Sequence, residues 1–211
     1  DILLTLAGAT RSAGRGGVKN MPNYCDCELF VNGDPDELKR FVAGLNVNGD
    51  GKFSVLRSYF PMPAELEHTI SPAVIVEDED ARAEYMKGSM VAVIEKSHPI
   101  TRAENAQYLS VYGANNWYDW ANNNWGTKWG DFDTKFIEPI DEDEPRIVPI
   151  SFRTAWNAPH EGMLVIVAQF PELEFSLYWY ERGMAVQGGY EYKDGKLIDS
   201  WQHEYNGNRG G

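Results

Sequence analysis

The chain has 211 residues, of which 43% are hydrophobic and 24% charged, and its formal net charge is −13. This composition is typical of a globular protein and excludes general disorder, while two cysteines exclude a disulfide scaffold. Because the charge is so negative, we do not expect a surface that neutralises phosphates, and nucleic acid is an unfavoured partner. The longest apolar run, Met163 to Ala168, is far shorter than the roughly 20 residues of a membrane span, so no membrane partner is expected.

The first twenty residues differ in composition from those that follow. Arg15-Gly16-Gly17 can be encoded by a purine run that contains a ribosome-binding sequence, and Met21 follows at a distance suited to a bacterial start. We therefore expect residues 1–20 to be a non-native leader, upstream DNA read in frame. The alternative is a genuine disordered arm. A signal peptide is not expected, because the arginines follow the apolar stretch instead of preceding it.

The chain then opens with a predicted strand and helix. Residues 25–32 alternate between apolar and polar side chains, which predicts a half-buried strand. Asp34 and Pro35 are typical of a helix start. Apolar residues then recur at helical spacing, which predicts a buried face formed by Leu38, Phe41, Val42 and Leu45.

The middle of the chain, about residues 60–125, is predicted to be a helical insertion. Just before it, Phe53 to Phe60 is predicted to be a short strand. Within it, Asp78 to Lys87 is predicted to be a short helix, and Thr101-x-x-Glu104 is a capping box that opens another helix, which Gly113 interrupts. A further helix is predicted because four residues share one helical face: Trp117, Trp120, Ala121 and Asn124.

Strand patterns return after the insertion. Residues 148–156 and 175–179 alternate, and between them Pro159 opens a helix that Pro171 ends. Asp194-Gly195 lies between two further strand-like segments and predicts a hairpin. Residues 206–211 are predicted to be a disordered tail.

Together these elements predict an α+β fold. We expect a ferredoxin-like split βαβ sandwich, in which an antiparallel sheet carries helices on one face. A helical Trp-rich insertion and an extra C-terminal hairpin are added to it. Residues 21–205 would then form one domain.

Four segments taken together resemble a known family. They are Met21-Pro-Asn-Tyr-Cys25, Asn-Trp-Tyr-Asp-Trp-Ala-Asn-Asn-Asn-Trp-Gly-Thr-Lys-Trp-Gly at 116–130, Phe-Arg-Thr-Ala-Trp-Asn-Ala-Pro at 152–159 and Phe170-Pro-Glu-Leu173. In these segments the chain is similar to the YubB-like proteins of plasmids and phages, whose ferredoxin-like domain is also named for an Api-type phage protein. The resemblance implies a mobile-element origin, a bacterial host and a start at Met21, but no catalytic residue or ligand. Tyr24, where we expect Trp, and Cys27 depart from the family's form.

The most distinctive segment, residues 117–129, is rich in tryptophan and asparagine. Its rings and amides suit a site that stacks a sugar or a base and hydrogen-bonds its edges. The candidate contacts are Trp117, Tyr118, Trp120, Asn124, Trp125, Lys128 and Trp129. This hypothesis expects Trp120 or Trp125 to be partly exposed in a concave pocket. The alternatives are that the tryptophans lock the insertion onto the sheet, or that they contact a protein partner.

A second candidate surface is acidic. Asp141, Glu142, Asp143 and Glu144 form an acidic run. Such a run is commonly a solvated loop. In a chain this acidic, it would alternatively compete for the basic groove of a host or phage DNA-binding protein.

Other site types have less support in the sequence. Nucleic-acid binding through a sheet face would use Tyr178, Tyr180, Tyr190 and Tyr192. Such a face needs positive charge, but Glu181 and Glu191 add negative charge there. Cys25 and Cys27 share a strand face with apolar residues and are interpreted as core residues, and the four histidines show no ligand spacing. We therefore expect no metal and no cofactor.

These observations lead to two functional hypotheses. The first is an accessory protein of a phage, prophage or plasmid, acting in the bacterial cytoplasm as a non-enzymatic protein-interaction module with an acidic surface. Its partner would be a host or phage protein. The second is a small-ligand-binding protein or an enzyme that uses the Trp/Asn cluster at 117–129. A non-enzymatic role is favoured because no catalytic spacing is present.

Overall fold

The computed structural model describes residues 23–47, 49, 51–90, 96–141 and 145–205. Its main sheet contains β1 (Tyr24–Gly33), β4 (Phe132–Phe136), β5 (Ile147–Ala155), β6 (Leu173–Glu181), β7 (Val186–Lys193) and β8 (Lys196–Glu204). A small parallel sheet is formed by β2 (Ile75–Val76) and β3 (Ile100–Thr101). The helices are α1 (Pro35–Gly44), α2 (Val55–Tyr59), α3 (Glu79–Gly88), α4 (Arg102–Tyr112), α5 (Trp117–Asn124) and α6 (His160–Val167).

The main sheet has the strand order β4-β5-β1-β6-β7-β8, and β1 is antiparallel to both of its neighbours. In the first unit, β1 and α1 are followed by β4, and β5 lies between β1 and β4 in the sheet. In the second unit, β5 and α6 are followed by β6, and β1 lies between β5 and β6. Two split βαβ units therefore interlock, which is the ferredoxin-like arrangement. The predicted α+β fold is confirmed, and β7 and β8 form the extra hairpin that extends the sheet.

One face of the sheet packs against α1 and α6. Side chains alternate along a strand, so every second residue of β1 points to this face. These residues are all buried: Cys25, Cys27, Leu29 and Val31. Residues of both helices belong to the same hydrophobic cluster, among them Leu38, Phe41, Met163, Ile166 and Val167. The burial of this apolar surface is the main force that holds the helices on the sheet.

The two cysteines are core residues, as predicted. Both thiols are free and buried, and burial raises the pKa of the Cys27 thiol well above its usual value. Among the described residues, no three His, Cys, Asp or Glu side chains are grouped so that they could hold a metal ion.

The predicted helix starts are confirmed by their caps. Asp34 accepts a hydrogen bond from the backbone N–H of Asp36 (2.9 Å) at the start of α1. Thr101 and Glu104 form a reciprocal capping box at the start of α4. The α4 helix ends at Gly113, whose φ of 69° is accessible to glycine without steric cost.

The segment predicted as a strand from Phe53 to Phe60 is instead the helix α2, although Phe53 forms an isolated bridge to β4. The Ser54 side chain caps this helix locally by accepting from the backbone N–H of Arg57 (3.1 Å), and a second stabilising group is the carboxylate of Asp131. It accepts hydrogen bonds from the backbone N–H groups of Val55 (2.8 Å) and Leu56 (2.9 Å), which are among the donors that a helix start leaves unpaired. A carboxylate far away in the sequence therefore adds to a local cap in stabilising this helix.

A second boundary also differs from the prediction. The strand predicted to include Trp156 ends at Ala155. Trp156 adopts a φ of 74°, and its backbone N–H donates to the carbonyl of Asn23 (2.9 Å). Its side chain is exposed instead of continuing the buried face of β5.

The predicted C-terminal hairpin is confirmed. Asp194 and Gly195 form the turn between β7 and β8 with φ values of 53° and 69°, and positive φ at both central residues is the mark of a type I′ turn. The β8 strand lies at the edge of the sheet, and all of its residues are exposed.

Parts of the predicted domain organisation lie outside the described residues. These are the leader at 1–20 and the tail at 206–211. Between α1 and β4 the chain forms α2 to α5 and the small β2–β3 sheet, and the predicted limits of the insertion and of the single domain stay predictions. Within the described ranges, no helix combines the length and the apolar character that crossing a membrane requires.

Asp131→Ala is expected to destabilise the fold strongly. Besides the two backbone N–H groups, the buried carboxylate accepts from the hydroxyls of Ser54 (2.5 Å) and Thr134 (2.7 Å). Its removal leaves these donors without an acceptor, so the free energy of unfolding should fall by about 3 kcal/mol in urea denaturation. Asp36→Ala removes an exposed carboxylate and should change the free energy of unfolding by less than about 0.5 kcal/mol. Equal losses in the two variants would contradict this role for Asp131.

Candidate functional site: an aromatic groove beside helix α5

Helix α5 is fixed at its N-terminal end by a hydrogen-bond network. The buried Asn116 accepts from the backbone N–H of Asp119 (3.0 Å) and donates its side-chain N–H to the Asp119 carboxylate (2.7 Å). The next residue, Trp117, donates its backbone N–H to the hydroxyl of Thr69 (2.9 Å). Because Thr69 lies in the loop before β2, this bond sets the position of Trp117 against that loop.

Two of the predicted contact residues, Trp120 and Trp125, are buried. Their ring centroids are 5.1 Å apart and their planes are nearly perpendicular. The indole N–H of Trp125 donates to the carbonyl of Phe60 (2.8 Å), and the Asn124 side chain donates to the carbonyl of Trp120 (2.9 Å). The expectation that Trp120 or Trp125 would be partly exposed is therefore wrong, because each ring packs on the other and on the insertion.

Five of the seven predicted residues line two hollows, which we call the aromatic groove: Trp117, Tyr118, Trp125, Lys128 and Trp129. The first is a cavity of about 280 Å³ lined by Arg57, Met62, Glu67, His68, Trp117, Trp125, Lys128 and Trp129. The second, of about 560 Å³, is lined by residues that include Ser71, Pro72, Asn115, Trp117, Tyr118, Asp119 and Lys128. Trp117 and Lys128 line both hollows, so the groove extends from one into the other. Trp120 and Asn124 line neither hollow.

A cation lies over exposed aromatic rings in this groove. The Lys128 Nζ atom lies 4.7 Å from the ring centroid of Trp129 and 5.6 Å from that of Tyr118. Cation–π attraction favours both contacts. Tyr118 is 38% and Trp129 is 37% exposed, so these rings are open to a ligand. The groove thus holds two cations, Arg57 and Lys128, together with two carboxylates, Glu67 and Asp119, so its formal charges balance.

Sequence reasoning missed the opposite wall of the groove, which comes from residues 57–68. Arg57 forms an ion pair with Glu67 (2.7 Å) and lies 5.2 Å from the Trp125 ring centroid. Met62 and His68 complete this wall. No local pattern links these residues to the Trp-rich segment, because tertiary hydrogen bonds bring the two together.

The predicted acidic face lies largely outside the described residues. Asp141 is exposed at the end of a described range, and Glu142, Asp143 and Glu144 belong to the gap that follows. The hypothesis that this run competes for a basic groove stays a prediction.

The four tyrosines considered for a nucleic-acid-binding sheet face lie on two different faces. Tyr178 and Tyr180 point to the open face of the sheet. Tyr190 and Tyr192 are opposite buried β6 residues and share their helix-covered side, because opposed residues of paired strands point the same way. The expectation of one tyrosine-bearing binding face is therefore wrong.

Alanine substitution should destabilise the protein strongly at a core residue of the Trp-rich segment and only slightly at a groove residue. Trp125→Ala removes a fully buried ring and its hydrogen bond, and we expect the free energy of unfolding to fall by about 3–5 kcal/mol. Trp129→Ala removes a partly exposed ring and should cost less than about 1 kcal/mol. Urea denaturation of both variants measures the difference. A loss for Trp129→Ala as large as that for Trp125→Ala would show that Trp129 is structural.

Two comparisons with known proteins find similar chains. A crystal structure of a protein api92 from Yersinia pseudotuberculosis aligns with 89% of this chain and 99% of its own chain, with 10% sequence identity and a TM-score of 0.47. No curated protein sequence matches the chain. Residues 124–209 match the family model described as the ferredoxin-like domain in Api92-like protein, and this part of the chain is therefore similar to Api92-like proteins.

Proposed function

We propose that the chain is a non-enzymatic binding protein whose aromatic groove receives an extended segment of a partner protein. That segment would place an aromatic side chain on the exposed rings and an acidic side chain against Lys128. One observation carries this proposal: Trp117 and Lys128 line both hollows, so stacking surfaces and a cation follow one another along one depression.

The exposed rings would supply most of the binding free energy. Trp and Tyr are enriched among the residues that dominate protein interfaces, where truncation of one such residue costs about 2 kcal/mol or more. The Lys128 ammonium group lies within 5.6 Å of the ring centroids of both Tyr118 and Trp129. An aromatic side chain of the partner can therefore stack on a ring while its neighbour pairs with the cation.

The preference for an acidic partner group rests on short-range electrostatics. The net charge of −13 would repel an acidic segment at a distance. At physiological salt, however, charges more than about 8 Å away are largely screened. The Lys128 ammonium then acts on an acidic group at contact distance, while the two carboxylates that line the groove are already engaged, Glu67 with Arg57 and Asp119 with Asn116.

The sequence resemblance supports a biological setting for this proposal. The Asn116–Gly130 string resembles YubB-like proteins, and most of the groove's predicted residues belong to it. We place the chain among the accessory proteins of phages, prophages or plasmids that act in the bacterial cytoplasm. The partner would be a host or phage protein.

A random peptide library displayed on phage tests the proposal directly. The whole chain is panned without counter-selection, and the enriched peptides are then titrated into the unmodified chain and its variants. Enriched peptides should combine an aromatic residue with a nearby Asp or Glu. Each should bind the unmodified chain at least about tenfold more tightly than Trp129→Ala or Lys128→Ala, since tenfold corresponds to about 1.4 kcal/mol.

The matched control is Trp156→Ala, which removes another exposed tryptophan that lines neither hollow. It should leave peptide affinity unchanged. Peptides that bind Trp129→Ala and the unmodified chain equally well would show that the groove is not the site. A library from which nothing is enriched would overturn the peptide-binding function.

A further inference from the structure

The last strand of the main sheet, β8, has one unpaired side. Its other side pairs with β7, and no further strand of the described residues lies beside it. All of its residues are exposed. An edge of this kind presents a row of backbone N–H and C=O groups that can pair with another strand. Because no β8 residue lines the aromatic groove, an inference about this edge is independent of the proposed function.

The outer edge of β8 carries little of the protection that exposed edges usually have. Proline, lysine and β-bulges are the common protective features. The ladder with β7 shifts register once, between Glu191 and Tyr192, and it is regular from Asp199 to Glu204. Residues 198–204 contain neither proline nor lysine. This stretch is therefore open to an added strand.

The backbone of this stretch is oriented for pairing. A Cβ at Gly188 would lie 2.6 Å from the carbonyl oxygen of Trp201, so this carbonyl points towards β7. Backbone groups of successive residues point to opposite edges of a strand, so those of Ser200 and Gln202 point outwards. An added strand would form its hydrogen bonds with these two residues.

One carboxylate at this edge lies in an unfavourable setting. Asp199 is directly opposite Glu191 in the β7–β8 ladder, and like charges directly opposite each other destabilise a sheet. Glu191 accepts from the hydroxyls of Ser176 and Tyr178. Asp199 accepts from the backbone N–H of Ser200 (2.9 Å). A cation on the outer side of Asp199 would relieve the repulsion between the two carboxylates.

We propose that two copies of the chain join through their β8 strands, antiparallel to each other and with the two-fold axis at Trp201. The six-stranded sheets of the two copies then form one continuous sheet. Asp199 of each copy lies opposite His203 of the other, and the carboxylate favours the protonated, cationic form of that imidazole. Trp201, which is 39% exposed, lies opposite Trp201 of the other copy, and paired aromatic rings attract each other.

The neighbouring antiparallel registers lack this complementarity. With the axis at Asp199, the two Asp199 carboxylates would lie opposite each other. With the axis at Ser200, Asp199 would lie opposite Trp201, and with the axis at Gln202 it would lie opposite Tyr205. The net charge of −13 on each copy opposes association in every register. At physiological salt, however, this repulsion is largely screened beyond about 8 Å.

Sedimentation equilibrium of the whole chain, at about 0.15 M salt and over a range of concentrations, tests the proposal. It should show a monomer–dimer equilibrium. Ser200→Pro removes an outward N–H and should abolish the dimer, because proline cannot donate to the new ladder. Circular dichroism should show that this variant keeps its fold, since the lost N–H does not face β7. A chain that stays monomeric throughout, or a dimer that survives in a folded Ser200→Pro variant, would overturn the proposal.

Charge reversal tests the register without a proline. Asp199→Lys places a cation opposite His203 and should raise the dimer dissociation constant about tenfold, since two pairs are lost in each dimer. Adding His203→Glu restores opposite charges, now reversed, and should return the constant to within about threefold of its original value. The matched control is Asp36→Lys, which changes the net charge equally at an exposed site of α1 and should not weaken the dimer. Equal constants for Asp199→Lys and Asp36→Lys, or no recovery in the double variant, would contradict the proposal.

Discussion

The position of the insertion on the sheet depends on one buried side chain. Trp125 is the largest fully buried side chain among the described residues. Its indole N–H donates to the carbonyl of Phe60, its own carbonyl accepts from the backbone N–H of Gly162 (3.4 Å), and its ring packs on Trp120. These contacts join the start of the insertion, the end of α5 and the first turn of α6. Since α6 packs on the sheet, Trp125 connects the helical insertion to the ferredoxin-like core.

Trp125 and the residue after it also contribute to two cavities. Trp125 is among the residues that line the aromatic groove, and the next residue, Gly126, lines with Glu161 a cavity of about 200 Å³ at the N-terminal end of α6. A Cβ added at Gly162 would lie 3.3 Å from Trp125 Cα, so the close approach of the two segments leaves little room for a larger residue. Consecutive residues, Trp125 and Gly126, therefore line two different cavities.

The sequence predicts the parts of the fold whose signals are local. Alternation identifies β1, caps identify α1 and α4, and Asp194-Gly195 identifies the last hairpin, because each signal is contained within a few residues. Where a distant residue decides the structure, prediction fails. The helix α2 is stabilised by Asp131, and the wall of the groove formed by Arg57 and His68 is brought into place by long-range hydrogen bonds. The segment at 117–129 is distinctive in sequence, yet composition alone does not separate its buried rings from its exposed ones.

The extent of the family match distinguishes the two cavities. The matched residues 124–209 contain β4 to β8 and α6, but the strand at the centre of the sheet is β1, which lies outside them. Without β1 the matched strands would fall into two separate ladders, β4–β5 and β6–β8, so the N-terminal strand is needed to complete the sheet. The cavity at the N-terminal end of α6 lies wholly within the matched residues. The aromatic groove, in contrast, takes His68 and Trp117 from the insertion and Arg57 from the helix α2 that precedes it. The cavity at α6 is thus a feature of the ferredoxin-like domain, whereas the groove exists only where this insertion folds against it.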